Sequence, residues 1–263
     1  MRAPGQPIAE LPDATVTADP WLGLRQHTAA RIALSRAGAS LPTSEALAFT
    51  LAHARARDAV HAPLDSEVLS ARLTALGVAC FTTHSRATNR STFLRRPDLG
   101  RQLPPDERER VSAQATAPSD IAIVIADGLS SAAVQANAAP FLGALLPRLH
   151  EDGLTLAPIS IVLEGRVAIG DEIGALLRAR MVLVLIGERP GLSAADSLGA
   201  YSTHDPRPGR SDAERNCISN IRNEGLNSVA ASGVAHWLIV NTLKRQLSGV
   251  RLKDGSTLPS LIA

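Results

Sequence analysis

The chain has 263 residues, a net charge of +2, 45% hydrophobic residues and 3% aromatics. Acidic and basic residues are interleaved, so no basic stripe marks a nucleic-acid footprint, and there is little aromatic surface for stacking bases. Cys80 and Cys217 lie too far apart for a CxxC zinc or redox motif, and no apolar run approaches the roughly 18 residues that a membrane span needs.

Residues 1–22 carry Pro4, Pro7, Pro12 and Pro20 among small and polar residues and read as a flexible N-terminal arm. The arm lacks a basic start followed by an apolar core, so no secretory signal is expected and the cytoplasm is the default compartment. Residues 23–110 predict a helical segment and a connection. Leu24, Ile32 and Leu34 punctuate a first helical run, which Leu41-Pro42-Thr43 breaks. Thr43 or Ser44 then caps a second helix reaching His61, with Leu47, Leu51 and Ala54 at helical spacing. A shorter helix is expected from Ser66 to Leu76, a β-prone run from Val78 to Thr83, and a polar connection from Arg86 to Arg110.

The pattern changes in residues 111–263. Asp120 to Ala126 is a continuous apolar, β-branched run, as in a strand buried on both faces of a parallel sheet. Ser130 and Ser131 are placed to cap an Ala-rich helix that continues through Pro140 to Leu149. Pro158 to Leu163 predicts the next strand, Asp171 to Arg178 a helix, and Met181 to Ile186 another buried strand. Asn216 to Asn223 reads as polar and irregular, and residues 226–247 as a closing helix. Alternating strands and helices predict an α/β domain with a doubly wound, mostly parallel, Rossmann-like sheet behind an N-terminal helical segment.

In such a sheet ligands bind beyond the carboxyl ends of the strands. Three loops fall there: Asp127 to Ser131, Glu164 to Val167, and Gly187 to Leu192, each joining a glycine to polar or charged groups. Each alone is better explained as an ordinary capped turn, but three at one predicted edge favour a ligand site. No GxGxxG, P-loop Lys motif, GxSxG elbow or HExxH is present, and the seven histidines are scattered. The residues by themselves therefore describe a binding domain with no evident catalytic set.

Several segments are similar to the small (light) subunit of ethanolamine ammonia-lyase. They are Leu24 to Ile32, Arg96-Pro97-Asp98-Leu99-Gly100-Arg101, Asp127 to Ser130, Gly165 to Asp171, Ile186 to Leu192 and Asn216 to Ile221, in the family's order. The resemblance implies a hetero-oligomer with a large catalytic barrel subunit and a cofactor, adenosylcobalamin, held between the two. It implies Val167, Glu188 and Cys217 as cofactor contacts, on the side away from the reacting adenosyl group. A DxHxxG pattern is absent; in this family dimethylbenzimidazole stays on cobalt, so no protein metal ligand and no catalytic residue is expected here. Some relatives are packaged in a bacterial microcompartment, which leaves open whether the complex is free in the cytoplasm. Two alternatives stay in view: a stand-alone α/β enzyme using Asp127 and Cys217, and a structural assembly protein with a vestigial ligand edge.

Overall fold

The structure, a computed structural model, describes residues 16–256, so most of the expected arm over residues 1–22 lies outside the described part. The chain divides into two compact units, Met1–Arg55 and Ala56–Ala263.

The first unit is less helical than expected. A single 3-10 stretch, Leu22–His27, replaces the first helical run, and the chain then continues without regular helix to α1 (Thr43–His61). Ala33 and Ser35 adopt positive φ, 51° and 61°, which no helix propagates through.

The second unit is built on a six-stranded mixed sheet in the order β1-β3-β2-β4-β5-β6. Its strands are β1 (Cys80–His84), β2 (Ser119–Ala126), β3 (Ile159–Leu163), β4 (Ala179–Gly187), β5 (Leu198–His204) and β6 (Arg215–Ile221). The first four run parallel, as their apolar runs predict, whereas β5 and β6 join antiparallel. The α/β class is therefore as expected, but the sheet is mixed. The expected irregular stretch at Asn216–Asn223 is mostly strand, and β5 has no counterpart in the sequence reading. Arg86–Arg110 likewise holds α3 (Arg90–Arg95), a 3-10 turn at Leu99–Arg101 and the start of α4 (Pro105–Ser112).

Helices cover both faces. Ile121, Ile123 and Ile125 of β2 pack with α2 (Ser66–Ala75), α5 (Ser131–Glu151) and α7 (Ser228–Arg245). Their neighbours Ala122, Val124 and Ala126 pack on the other face with α4 and α6 (Ile169–Leu176). Burial on both sides is why β2 and β4 are apolar at consecutive positions rather than alternate ones. Ser130 caps α5 by accepting from the Ala133 amide at 3.2 Å, as its position predicts.

Candidate ligand site at the carboxyl edge of the sheet

The three loops singled out by sequence meet at the carboxyl ends of β2, β3 and β4. Asp127, only 4% exposed, ties the first two together: its carboxylate accepts the amides of Glu164 and Gly165 at 2.9 and 3.0 Å. Arg90 lies 3.6 Å from the same carboxylate and 3.0 Å from that of Glu164. Burial pushes the Asp127 carboxyl up to about 6, against the pull of these amides and Arg90. The first and third loops interlock through glycines. The Leu129 amide donates to Gly187 O at 2.9 Å, and a Cβ at Gly187 would lie 2.0 Å from Ser130 O. Ser130 and Asn137 complete the tie by donating to Ala195 O and Asp196 O, both at 2.8 Å.

Glu188 follows β4 directly and is half-buried. Its Oε2 accepts from the Ser197 hydroxyl and from the Asn220 amide, the latter at 3.2 Å. Its Oε1 has no hydrogen-bond partner among the described residues and sits over Gly199, where a Cβ would approach it to 3.1 Å. The carboxylate is therefore fixed by one oxygen and able to accept through the other.

Cys217 is exposed on β6, directly across from Tyr201 of β5, which in turn pairs with Val184 of β4. These three residues share one sheet face. The thiol is held above its ordinary range, first by partial burial of the sulfur and then by the charge of Glu188, with Tyr201 acting in the opposite sense. Burial, Cys217 and Glu188 hold the Tyr201 hydroxyl up in the same way. Val167 is half-buried at the entry to α6 and packs, like Tyr201, against the hydrophobic cluster on the α4–α6 face. Val167, Glu188 and Cys217 thus come from three separate segments to the same side of the sheet, and the charge of Glu188 reaches Cys217.

Chemically this surface offers a carboxylate oxygen, an aromatic ring, an aliphatic side chain and a protonated thiol. It suits a large, partly apolar ligand bearing neutral hydrogen-bond donors. Among the described residues no group of three or more His, Cys, Asp or Glu is arranged to hold a metal ion. No helix there is long and apolar enough to cross a membrane.

The sequence profile of the ethanolamine ammonia-lyase light chain (EutC) matches residues 18–253. The chain is 54% identical over 240 residues to the ethanolamine ammonia-lyase small subunit of Rhodopseudomonas palustris (strain BisA53), covering 91% of this chain and 92% of that one. The small subunit of Ralstonia nicotianae is 51% identical over 253 residues, covering 95% and 94%. That of Bradyrhizobium diazoefficiens is 54% identical over 245 residues, covering 93% and 94%.

The chain belongs to the ethanolamine ammonia-lyase light-chain family.

Two features of this light chain were not visible in the sequence. Ser197 and Tyr201, which fix Glu188 and flank Cys217, lie in and beside the unpredicted β5. Tyr201 is the sole tyrosine of the chain, and the alternation of Leu198, Ala200 and Ser202 with Gly199 and Tyr201 was the signal available. The RPDLGR segment also reaches this edge. Arg96 and Asp98 pair through two hydrogen bonds of 2.9 and 2.6 Å, bracing the 3-10 turn, and Gly100 O accepts the Arg166 amide at 2.7 Å.

Proposed function

We propose that this chain is the small subunit of adenosylcobalamin-dependent ethanolamine ammonia-lyase, holding the cofactor against a large catalytic barrel subunit in a hetero-oligomer. The assembled enzyme deaminates ethanolamine to acetaldehyde and ammonia. The α/β region, a Rossmann-like parallel half in which β1 (Cys80–His84) joins the strands from residue 111 onward, extended by the β5–β6 hairpin, provides the cofactor surface. The reading places the complex in the cytoplasm, either free or enclosed in a bacterial microcompartment.

The observation that carries this reading is the pinned carboxylate of Glu188, with Oε1 left to accept, beside Tyr201 and Cys217. The rim of a corrin bears primary amides, which are neutral donors, and its face is apolar. Glu188 Oε1 fits the first, and Val167 with the uncharged Cys217 thiol fits the second. When bound, the cofactor supplies an adenosyl radical by homolysis of its cobalt–carbon bond. This chain's share is to bind and orient: Ser197 and the Asn220 amide hold Glu188 in place, and Tyr201 supports the thiol.

The stand-alone enzyme is disfavoured by Asp127, which is buried and whose oxygens each accept a backbone amide, from Glu164 and Gly165. The assembly-protein reading predicts subunit binding indifferent to cobalamin. Deamination should therefore appear only when this chain, the large subunit and adenosylcobalamin are mixed. In the complex, Glu188→Ala should lower cofactor retention in equilibrium dialysis more than it lowers subunit assembly. Equal retention by variant and wild type would remove Glu188 from the site.

A further inference from the structure

Three arginines sit on the loops at this edge, and none forms an ion pair among the described residues. Arg166 follows β3, Arg189 follows β4, and Arg101 ends the RPDLGR turn. The turn is locked to Arg166. Gly100 accepts its amide, and a Cβ at Gly100 would lie 2.8 Å from Arg166 Cγ and 3.0 Å from the Phe93 ring. Only glycine allows that approach.

Phe93 supports the cluster from below. The Arg166 guanidinium lies 4.1 Å from its ring centroid and that of Arg90 lies 4.7 Å away. Arg90 is committed to Glu164 and Asp127, whereas Arg101, Arg166 and Arg189 form no ion pair among the described residues. Arg166 donates to Phe93 O at 3.2 Å, and its buried Nε has no partner among the described residues. Burial, then Arg90, Arg101 and Arg189, depress the basicity of Arg166, with Asp127 pulling the other way. Three arginines on loops tied together at one edge, none of them in an ion pair among the described residues, suit an anion.

The cofactor of the proposed reading carries one. Its corrin side chains are neutral amides, but the loop joining them to dimethylbenzimidazole contains a phosphodiester. That phosphodiester is an anion which arginines of this chain would hold when the cofactor is bound. We propose that Arg101, Arg166 and Arg189 seat the phosphodiester of the nucleotide loop, while Val167, Glu188 and Cys217 meet the corrin itself. The RPDLGR segment is then a positioning turn that brings Arg101 to Arg166. This inference rests on the cofactor-binding reading above.

The test uses the assembled complex and two ligands, cyanocobalamin and cobinamide, which lacks the phosphodiester and the base. Arg101→Gln combined with Arg189→Gln changes only exposed side chains. Cyanocobalamin affinity should fall about tenfold or more and lose much of its salt dependence, as expected when charge-assisted contacts are removed. Cobinamide affinity should stay within about twofold, since no phosphodiester contact is lost. The Arg101→Lys, Arg189→Lys pair should recover part of the loss, because it restores charge without the planar fork. Unchanged cyanocobalamin affinity, or equal losses for both ligands, overturns the assignment. So does dissociation of the subunits in place of ligand loss, which would assign the cluster to carboxylates of the large subunit. A wild-type complex that retains neither ligand overturns the cofactor-binding reading itself.

Discussion

Arg215 Nη1 donates to Asp171 Oδ1 at 2.6 Å, joining β6 to α6 with side chains only 3% and 1% exposed. The same guanidinium also donates to Thr203 Oγ1, Arg210 O and Asp212 Oδ1. Burial pulls Arg215 down, but its hydrogen bonds and the charges of Asp171 and Asp212 outweigh it and leave the group above its ordinary value. This pair anchors the strand that bears Cys217.

Removing one partner leaves the other charged and buried. Arg215→Ala should cost about 3–5 kcal/mol in urea unfolding. The double substitution Asp171→Leu, Arg215→Met should recover most of that loss, because it buries no orphan charge. A loss below about 1 kcal/mol for the single variant would show that water reaches the pair.

Asp127 predicts a specific pH dependence. Its carboxyl titrates at about 6 in the folded chain, above its usual value of 3.8. The folded state therefore binds this proton more tightly than the unfolded state, and the contribution is full below about pH 4 and lost as pH rises through 6. Relative to Asp127→Asn, wild type should lose on the order of 2–3 kcal/mol between pH 4 and 7. Urea unfolding across that range measures it, and parallel curves for the two proteins would refute it.

Gly187 admits no side chain. A Cβ there would lie 2.0 Å from Ser130 O and 2.6 Å from Asp127 O, both backbone atoms that cannot turn aside. Gly187→Ala should destabilise by at least about 2 kcal/mol and separate the first and third ligand loops. Calorimetry reads the first effect and cobalamin retention in the complex the second. An unchanged melting temperature would mean that the loops are not interlocked.

Cys217 should alkylate slowly for an exposed cysteine, because its thiol is held protonated by partial burial and by Glu188. Glu188→Gln removes that charge and should speed iodoacetamide labelling a few-fold at neutral pH. Cys80→Ser supplies the background, since Cys80 is the other free cysteine among the described residues. Equal rates with and without the carboxylate would place Glu188 too far from the sulfur to act on it.

The parallel half of the fold was legible because its strands are buried on both sides. Ile121 to Ala126 and Met181 to Ile186 have no solvent face, so their apolar runs name them. The antiparallel half was not. In β6, Ile218 and Ile221 are buried while Cys217, Ser219 and Asn220 are exposed, and the short polar strand looks like a loop. In the first unit, Leu22 and Leu24 are exposed and the apolar spacing near them does not build a helix. The site was half legible for the same reason. Glycine and charge flag the loops after β2, β3 and β4, but the residues that fix Glu188 and flank Cys217 depend on pairing that only the folded sheet reveals.

The antiparallel hairpin also sets an order of events during synthesis. All four parallel strands have left the ribosome once Gly187 emerges, and a chain folding from its N-terminal side can assemble that frame first. Tyr201 and Cys217 follow, each strand laid against the edge of the one before. Val167 and Glu188 thus emerge before the hairpin that carries Cys217, but Glu188 is fixed only when Ser197 and the Asn220 amide reach it. A nascent chain cannot present the whole surface until Ile221 is free, which delays capture of a partner or ligand until the sheet that must bear it has formed.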